Sequence, residues 1–244
     1  MEKNSNYFEN LAERTKQYFA VLSEEIPDFL YDYVNTPEMQ KQDGISVSCG
    51  TIYSKLFGKR LWFSSLEHSI GVALIIWHFT KDKKQTLAGL FHDISTPAFK
   101  HCIDFMNGDY AKQESTEDLT VQTIRNSKEI MSLLARDDIK LEEVSNYHIY
   151  PIADNDTPKL SADRLEYTLS NGFGVQERLW NIEEIRQIYE NIEIQQNEAG
   201  IKELGFKDIE KAERFVEVMS KLSESYIWNK TLLSMQFLAD TMKE

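Results

Sequence analysis

Between Ser64 and Trp77 the apolar residues Leu66, Ile70, Ala73, Leu74 and Trp77 recur at helical spacing. Ser64 followed by Glu67 has the form of a capping box, so a helix is expected to begin at 64 or 65. Upstream, Phe8, Leu11, Tyr18, Phe19 and Leu22 give residues 5–34 the same period; Pro27 interrupts it and starts a second short helix. Thr36-Pro37 reads as an N-cap with proline at the first helical position. The stretch from Gly44 to Gly58 alternates briefly and carries glycines, which suggests a loop with a short strand. Further helices are predicted from Lys83 to Asp93, from Thr96-Pro97 to Gly108, and from Thr157-Pro158 to Gly172, where the glycine reads as a residue just past the helix end. Gln176 to Glu244 reads as two or three more helices with charged outer faces. The pattern predicts an all-α fold. With no internal repeat and no linker, residues 1–244 are expected to form a single domain.

Composition agrees with this reading. Only 10 glycines and 5 prolines occur in 244 residues, which favours long helices over a turn-rich β fold. The net charge of −13 repels nucleic-acid backbone and anionic membrane, so no long nucleic acid and no membrane are expected as partners. A small phosphorylated ligand remains compatible, because local cations and a metal outweigh a distant negative field. The longest apolar run, Val72 to Trp77, is too short to span a bilayer, and the first residues carry no apolar signal core. A cytoplasmic protein is expected. The two cysteines, Cys49 and Cys102, are no disulfide framework.

The chemistry-bearing residues cluster in the strongly helical region. His68 lies early in the first apolar helix, His92 and Asp93 end the next, and Asp163 lies on a helix much further along. Two imidazoles and two carboxylates form a ligand set suited to one divalent ion such as Mn, Fe, Ni, Zn or Mg. A single His-Asp pair on an apolar helix is more often a hydrogen-bonded core element than a site. The order of the whole set carries the weight.

That order resembles the HD superfamily of metal-dependent phosphohydrolases. The segments are EHSIGVA (Glu67–Ala73), LAGLFHDIS (Leu87–Ser95), PAFKH (Pro97–His101) and ADRLEY (Ala162–Tyr167). The resemblance covers about residues 64–172. It implies an HD-type helical bundle, here with extra N- and C-terminal helices, in which His68, His92, Asp93 and Asp163 ligate one metal. HDISTPAFKH is most similar to the branch that acts on nucleotides, and keeps His92, Asp93, Phe99 and His101 of its pattern. Ser95 and Thr96 replace the branch's Gly and middle His, and Gln113-Glu114 stands where the branch has a His-Glu pair. A glutamine is no general acid at neutral pH.

The implied activity is hydrolysis of a small phosphorylated substrate, a nucleotide first. Asp93 would orient or deprotonate the attacking water, His101 would donate to phosphate, and Glu114 would serve as a replacement acid or base. Lys100, Lys112, His101 and Tyr167 are the candidate substrate contacts, Tyr167 because it shares a helix face with Asp163. Arg164, adjacent to Asp163, points elsewhere and is expected to pair with a neighbouring acid. The alternative is a regulatory HD module that keeps the metal, binds a nucleotide and no longer turns it over; Gln113, Ser95 and Thr96 motivate it. Tyr226, Trp228 and Phe237 read as core or as the face of a homodimer.

Overall fold

The computed structural model describes residues 7–51, 55–57, 60–108, 119–175 and 178–243. Among them are twelve α-helices: α1 (Glu13–Leu22), α2 (Asp28–Val34), α3 (Pro37–Asp43), α4 (Ser65–Thr80), α5 (Lys83–Phe91), α6 (His101–Asn107), α7 (Thr120–Asn126), α8 (Lys128–Arg136), α9 (Ala162–Gly172), α10 (Ile182–Glu190), α11 (Ile209–Ile227) and α12 (Asn229–Lys243). One antiparallel hairpin, β1 (Ile192–Gln196) with β2 (Lys202–Phe206), separates α10 from α11. The fold is all-α. No helix of the described residues is long and apolar enough to cross a membrane.

α4 is the central element. It packs against α5, α9, α1 and α3, and every residue from Ser65 to Ile76 is buried. A helix buried on all sides belongs in the middle of a core. Its start is fixed by the expected capping box: Glu67 N donates to Ser64 Oγ at 3.0 Å, and Ser64 N donates to Glu67 Oε2 at 2.8 Å. Thr15 of α1 adds a 2.8 Å bond to Glu67 Oε1. α5 lies close against α4 because Gly89 meets Ile76 there; a Cβ at Gly89 would also come within 3.2 Å of Val72 Cγ1. The core runs from Phe8 to Leu222, and a smaller cluster of Cys49, Cys102, Phe105, Met235 and Ala239 joins α6 to α12.

Several expected boundaries are corrected. No strand forms among the described residues of the Gly44–Gly58 stretch; Ser46 makes only an isolated bridge with Ser64. Pro97 does not start α6. Residues 97–100 form a turn, and the helix begins at His101 after Lys100, whose φ of 43° no regular helix accepts. α9 begins at Ala162, where Ser161 Oγ accepts from Arg164 N at 3.3 Å, and not at Pro158. Gly172 is its last helical residue, followed by Phe173 as the cap. The C-terminal region contains the hairpin as well as helices: Ile192 and Ile194 face Phe206 and Leu204 across the ladder, which is period-two patterning.

Candidate metal centre

Three of the four expected ligands converge. His68 Nε2 lies 3.2 Å from His92 Nε2 and 3.2 Å from Asp163 Oδ1, and His92 Nε2 lies 3.7 Å from Asp163 Oδ1. α4 carries His68 from inside, α9 carries Asp163 in its first turn, and His92 caps the end of α5. Donors about 2.1 Å from one ion in tetrahedral arrangement stand about 3.4 Å apart. The observed triangle fits that geometry.

The hydrogen bonds on the far side of each ring fix the tautomers. His92 Nδ1 lies 2.7 Å from the Gly89 carbonyl, which can only accept, so Nδ1 carries the proton and the Nε2 lone pair is free. His68 Nδ1 donates to Glu166 Oε2. Once a metal displaces the His68 Nε2 proton, the Nε2 lone pairs of both rings would point at the same spot as Asp163 Oδ1. Two imidazole nitrogens and a carboxylate oxygen form a donor set that suits a borderline or hard divalent ion.

Glu166 lies within the ADRLEY segment, where nothing in the sequence singles it out. Its carboxylate is fully buried and also receives the Tyr18 hydroxyl at 3.0 Å and Ser170 Oγ at 3.4 Å. A carboxylate behind a histidine orients the ring and raises its basicity. In the metal-free chain burial alone would lower the His68 pKa. The Glu166 charge and the hydrogen bonds to Asp163 and Glu166 overcome burial and push it up to about 10. For Asp163, burial pulls upward, but the His68 hydrogen bond and the two imidazoles hold it below the usual carboxylate range.

Asp93 is turned differently. Its Oδ2 lies 4.0 Å from His92 Nε2 and accepts from Lys100 Nζ at 2.8 Å. It stays outside the converging triangle, and the nearly buried Lys100 ammonium is its closest charge. Burial raises the Asp93 carboxyl, yet Lys100, His92 and His68 hold it well below its ordinary value.

These residues open into one cavity of about 410 Å³, which falls in the usual range for small-ligand sites. His101 and Tyr167 line it with Lys100. His101 is half exposed and bonds Asp104 through Nδ1 at 2.9 Å. Tyr147, not anticipated from the sequence, packs its ring 5.1 Å from His92. Ser48 Oγ, Asn171 Oδ1 and Tyr226 OH line the same cavity, buried and without a hydrogen-bond partner among the described residues. Tyr226 thus belongs to the cavity, while Trp228 and Phe237 are exposed. Lys112, Gln113 and Glu114 lie outside the described residues. Arg164 pairs with Asp154 at 3.2 Å, as expected. Both cysteines are buried free thiols, and burial pushes Cys102 up to about 12, which makes it a poor nucleophile.

Fold and site together define an all-helical protein with a His-His-Asp cluster of metal-binding geometry at the base of a small-molecule cavity. No family model matches the chain. Over 104 residues it is 36% identical to the uncharacterized protein YdhJ of Bacillus subtilis, a stretch that covers 42% of this chain and 31% of that protein. Over 140 residues it is 24% identical to the metal-dependent phosphohydrolase cns2 of Cordyceps militaris, covering 57% of this chain and 39% of cns2. The matched stretches span only about a third of either relative's length.

Proposed function

We propose that this chain is an HD-type, metal-dependent phosphohydrolase acting on a small phosphorylated substrate, a nucleotide first. The observation that carries the reading is the convergence of His68 Nε2, His92 Nε2 and Asp163 Oδ1 on one spot in the wall of the cavity. The kinship with cns2, named a metal-dependent phosphohydrolase, supports it.

His68, His92 and Asp163 would hold one divalent ion, with Asp93 completing the set through the oxygen that Lys100 leaves free. When bound, such an ion supplies Lewis acidity and lowers the pKa of a water. Asp93 accepts a hydrogen bond from the attacking water and orients it toward phosphorus. Lys100 and His101 donate to phosphoryl oxygens. Tyr167, Ser48, Asn171 and Tyr226 offer hydrogen bonds to the rest of the substrate, and Lys112 and Glu114 are the proposed contributors from the segment before α7.

A hydrolysis screen over nucleoside mono- and triphosphates with Mn²⁺, Co²⁺ or Ni²⁺ tests this. Phosphate release that Asp93→Ala lowers by about a hundredfold or more is expected. No release from any ester by protein with metal demonstrably bound would refute turnover and leave a nucleotide-binding module.

A further inference from the structure

Lys100 is held in a costly backbone geometry. It adopts φ 43° and ψ −125°, a conformation that side-chain-bearing residues rarely take. Such strain persists only where surrounding contacts over-determine it, and it concentrates at functional sites. Those contacts are present. Cys49, itself at φ 51°, faces the Lys100 turn, and Cys102 Sγ donates to the Cys49 carbonyl at 3.3 Å. A Cβ at Gly50 would meet Phe99 Cδ1 at 3.5 Å, so the two turns lie close together. The result is a nearly buried ammonium that contacts Asp93 with one N–H and lines the cavity beside His68, His92, Asp163 and His101.

Charge balance shows what the ammonium does. Asp93, Asp163 and Glu166 bring three negative charges to the centre, and the two imidazoles are neutral when their Nε2 lone pairs are donors. One divalent ion leaves a net charge of minus one, which would repel a phosphate dianion. Phosphoryl-transfer sites often meet that need with a second metal ion a few ångströms from the first. Among the described residues no second group of three metal-ligating side chains exists. The carboxylate oxygen available for a second ion, Asp93 Oδ2, is already held by Lys100. Arg60 also lines the cavity, but its Nη1 donates to Thr51 at 2.7 Å and its guanidinium lies 4.5 Å from the Phe57 ring, so it is engaged with those partners.

We propose that Lys100 is the second cation of a one-metal centre. It positions Asp93 with one N–H and donates another to a non-bridging phosphoryl oxygen, where a two-metal hydrolase would use its second ion. This rests on the phosphohydrolase reading above and deepens it.

Three measurements on the full chain test it. Calorimetric titration of metal-free protein with Mn²⁺ should give one ion per chain; two ions of similar affinity would overturn the proposal, whatever the variants do. Inorganic phosphate should bind Mn²⁺-loaded Lys100→Met at least about tenfold more weakly than wild type, while Lys100→Arg stays within about threefold. Equal phosphate affinity for wild type and Lys100→Met would overturn it. In Lys100→Ala, turnover should fall about a hundredfold and ethylammonium should restore part of it, a rescue that a merely structural lysine would not give. If the wild type bound Mn²⁺ and phosphate but cleaved no ester, the hydrolase reading would fail, and the phosphate affinities alone would still decide the role of Lys100.

Discussion

His68 and Glu166, 98 residues apart, are joined by a hydrogen bond from the imidazole Nδ1 to the buried carboxylate, and this bond aims Nε2 at His92 and Asp163. The centre therefore depends on a residue that touches no substrate. Glu166→Gln keeps an acceptor but removes the charge, so Mn²⁺ affinity should fall about tenfold; Glu166→Ala should lower it up to about a hundredfold. Calorimetric titration reads both, and affinities equal to wild type would show that the ring needs no such support.

Gly71 tests the same link from the other side. A Cβ there would lie 2.7 Å from Glu166 Cγ and 2.8 Å from its Oε1, so alanine must push the carboxylate off His68. Gly71→Ala should destabilise the chain by about 1–3 kcal/mol in denaturant and weaken Mn²⁺ binding with it. Gly44→Ala is the control: its Cβ meets only Lys41 O, at 3.6 Å, and both properties should stay put.

Metal binding should stabilise the fold, because the candidate ligands sit on α4, α9 and the end of α5. At a hundred times its dissociation constant an ion stabilises the native state by about 2.7 kcal/mol. For a chain of this size the midpoint of thermal unfolding should rise by about 5–10 °C on adding Mn²⁺, and EDTA should reverse the rise. A midpoint indifferent to chelator would argue that no such ion binds.

A separate acid-sensitive point lies at Asp137. Burial raises Asp137, but Arg136, Lys83 and the Tyr33 hydroxyl at 2.9 Å bring it down to about 2. A carboxyl depressed on folding contributes stability above its unfolded pKa of about 4 and loses it as pH falls toward 2. Its partly solvated surroundings limit the contribution to about 1 kcal/mol. Tyr33→Phe should therefore be less stable than wild type at pH 7, and the gap should narrow below pH 4. A gap independent of pH in urea denaturation would contradict this.

The legible parts of the chain are those whose signals are local. Ser64 and Glu67 are three residues apart and bond each other, so the start of α4, and with it the depth of His68, can be read from the pattern. Proline before a helix is ambiguous. Pro37 starts α3, whereas Pro97 leads into the Lys100 turn, and the two look alike without their surroundings. The hairpin after α10 escapes the sequence reading although Ile192 and Ile194 alternate, because Glu193, Gln195 and Gln196 around them also suit an exposed helix face. Glu166, Tyr147 and the Lys100–Asp93 pair are not legible. Each acts across tens of residues or through one strained turn, and only packing brings them to the centre.

The most direct test of the metal centre is a Mn²⁺ titration of chelator-stripped protein beside Asp163→Ala. Wild type should bind one ion per chain, and the variant, folded by circular dichroism, should bind at least about a hundredfold more weakly. Equal binding by the two proteins, or none by wild type, would contradict a metal held by His68, His92 and Asp163.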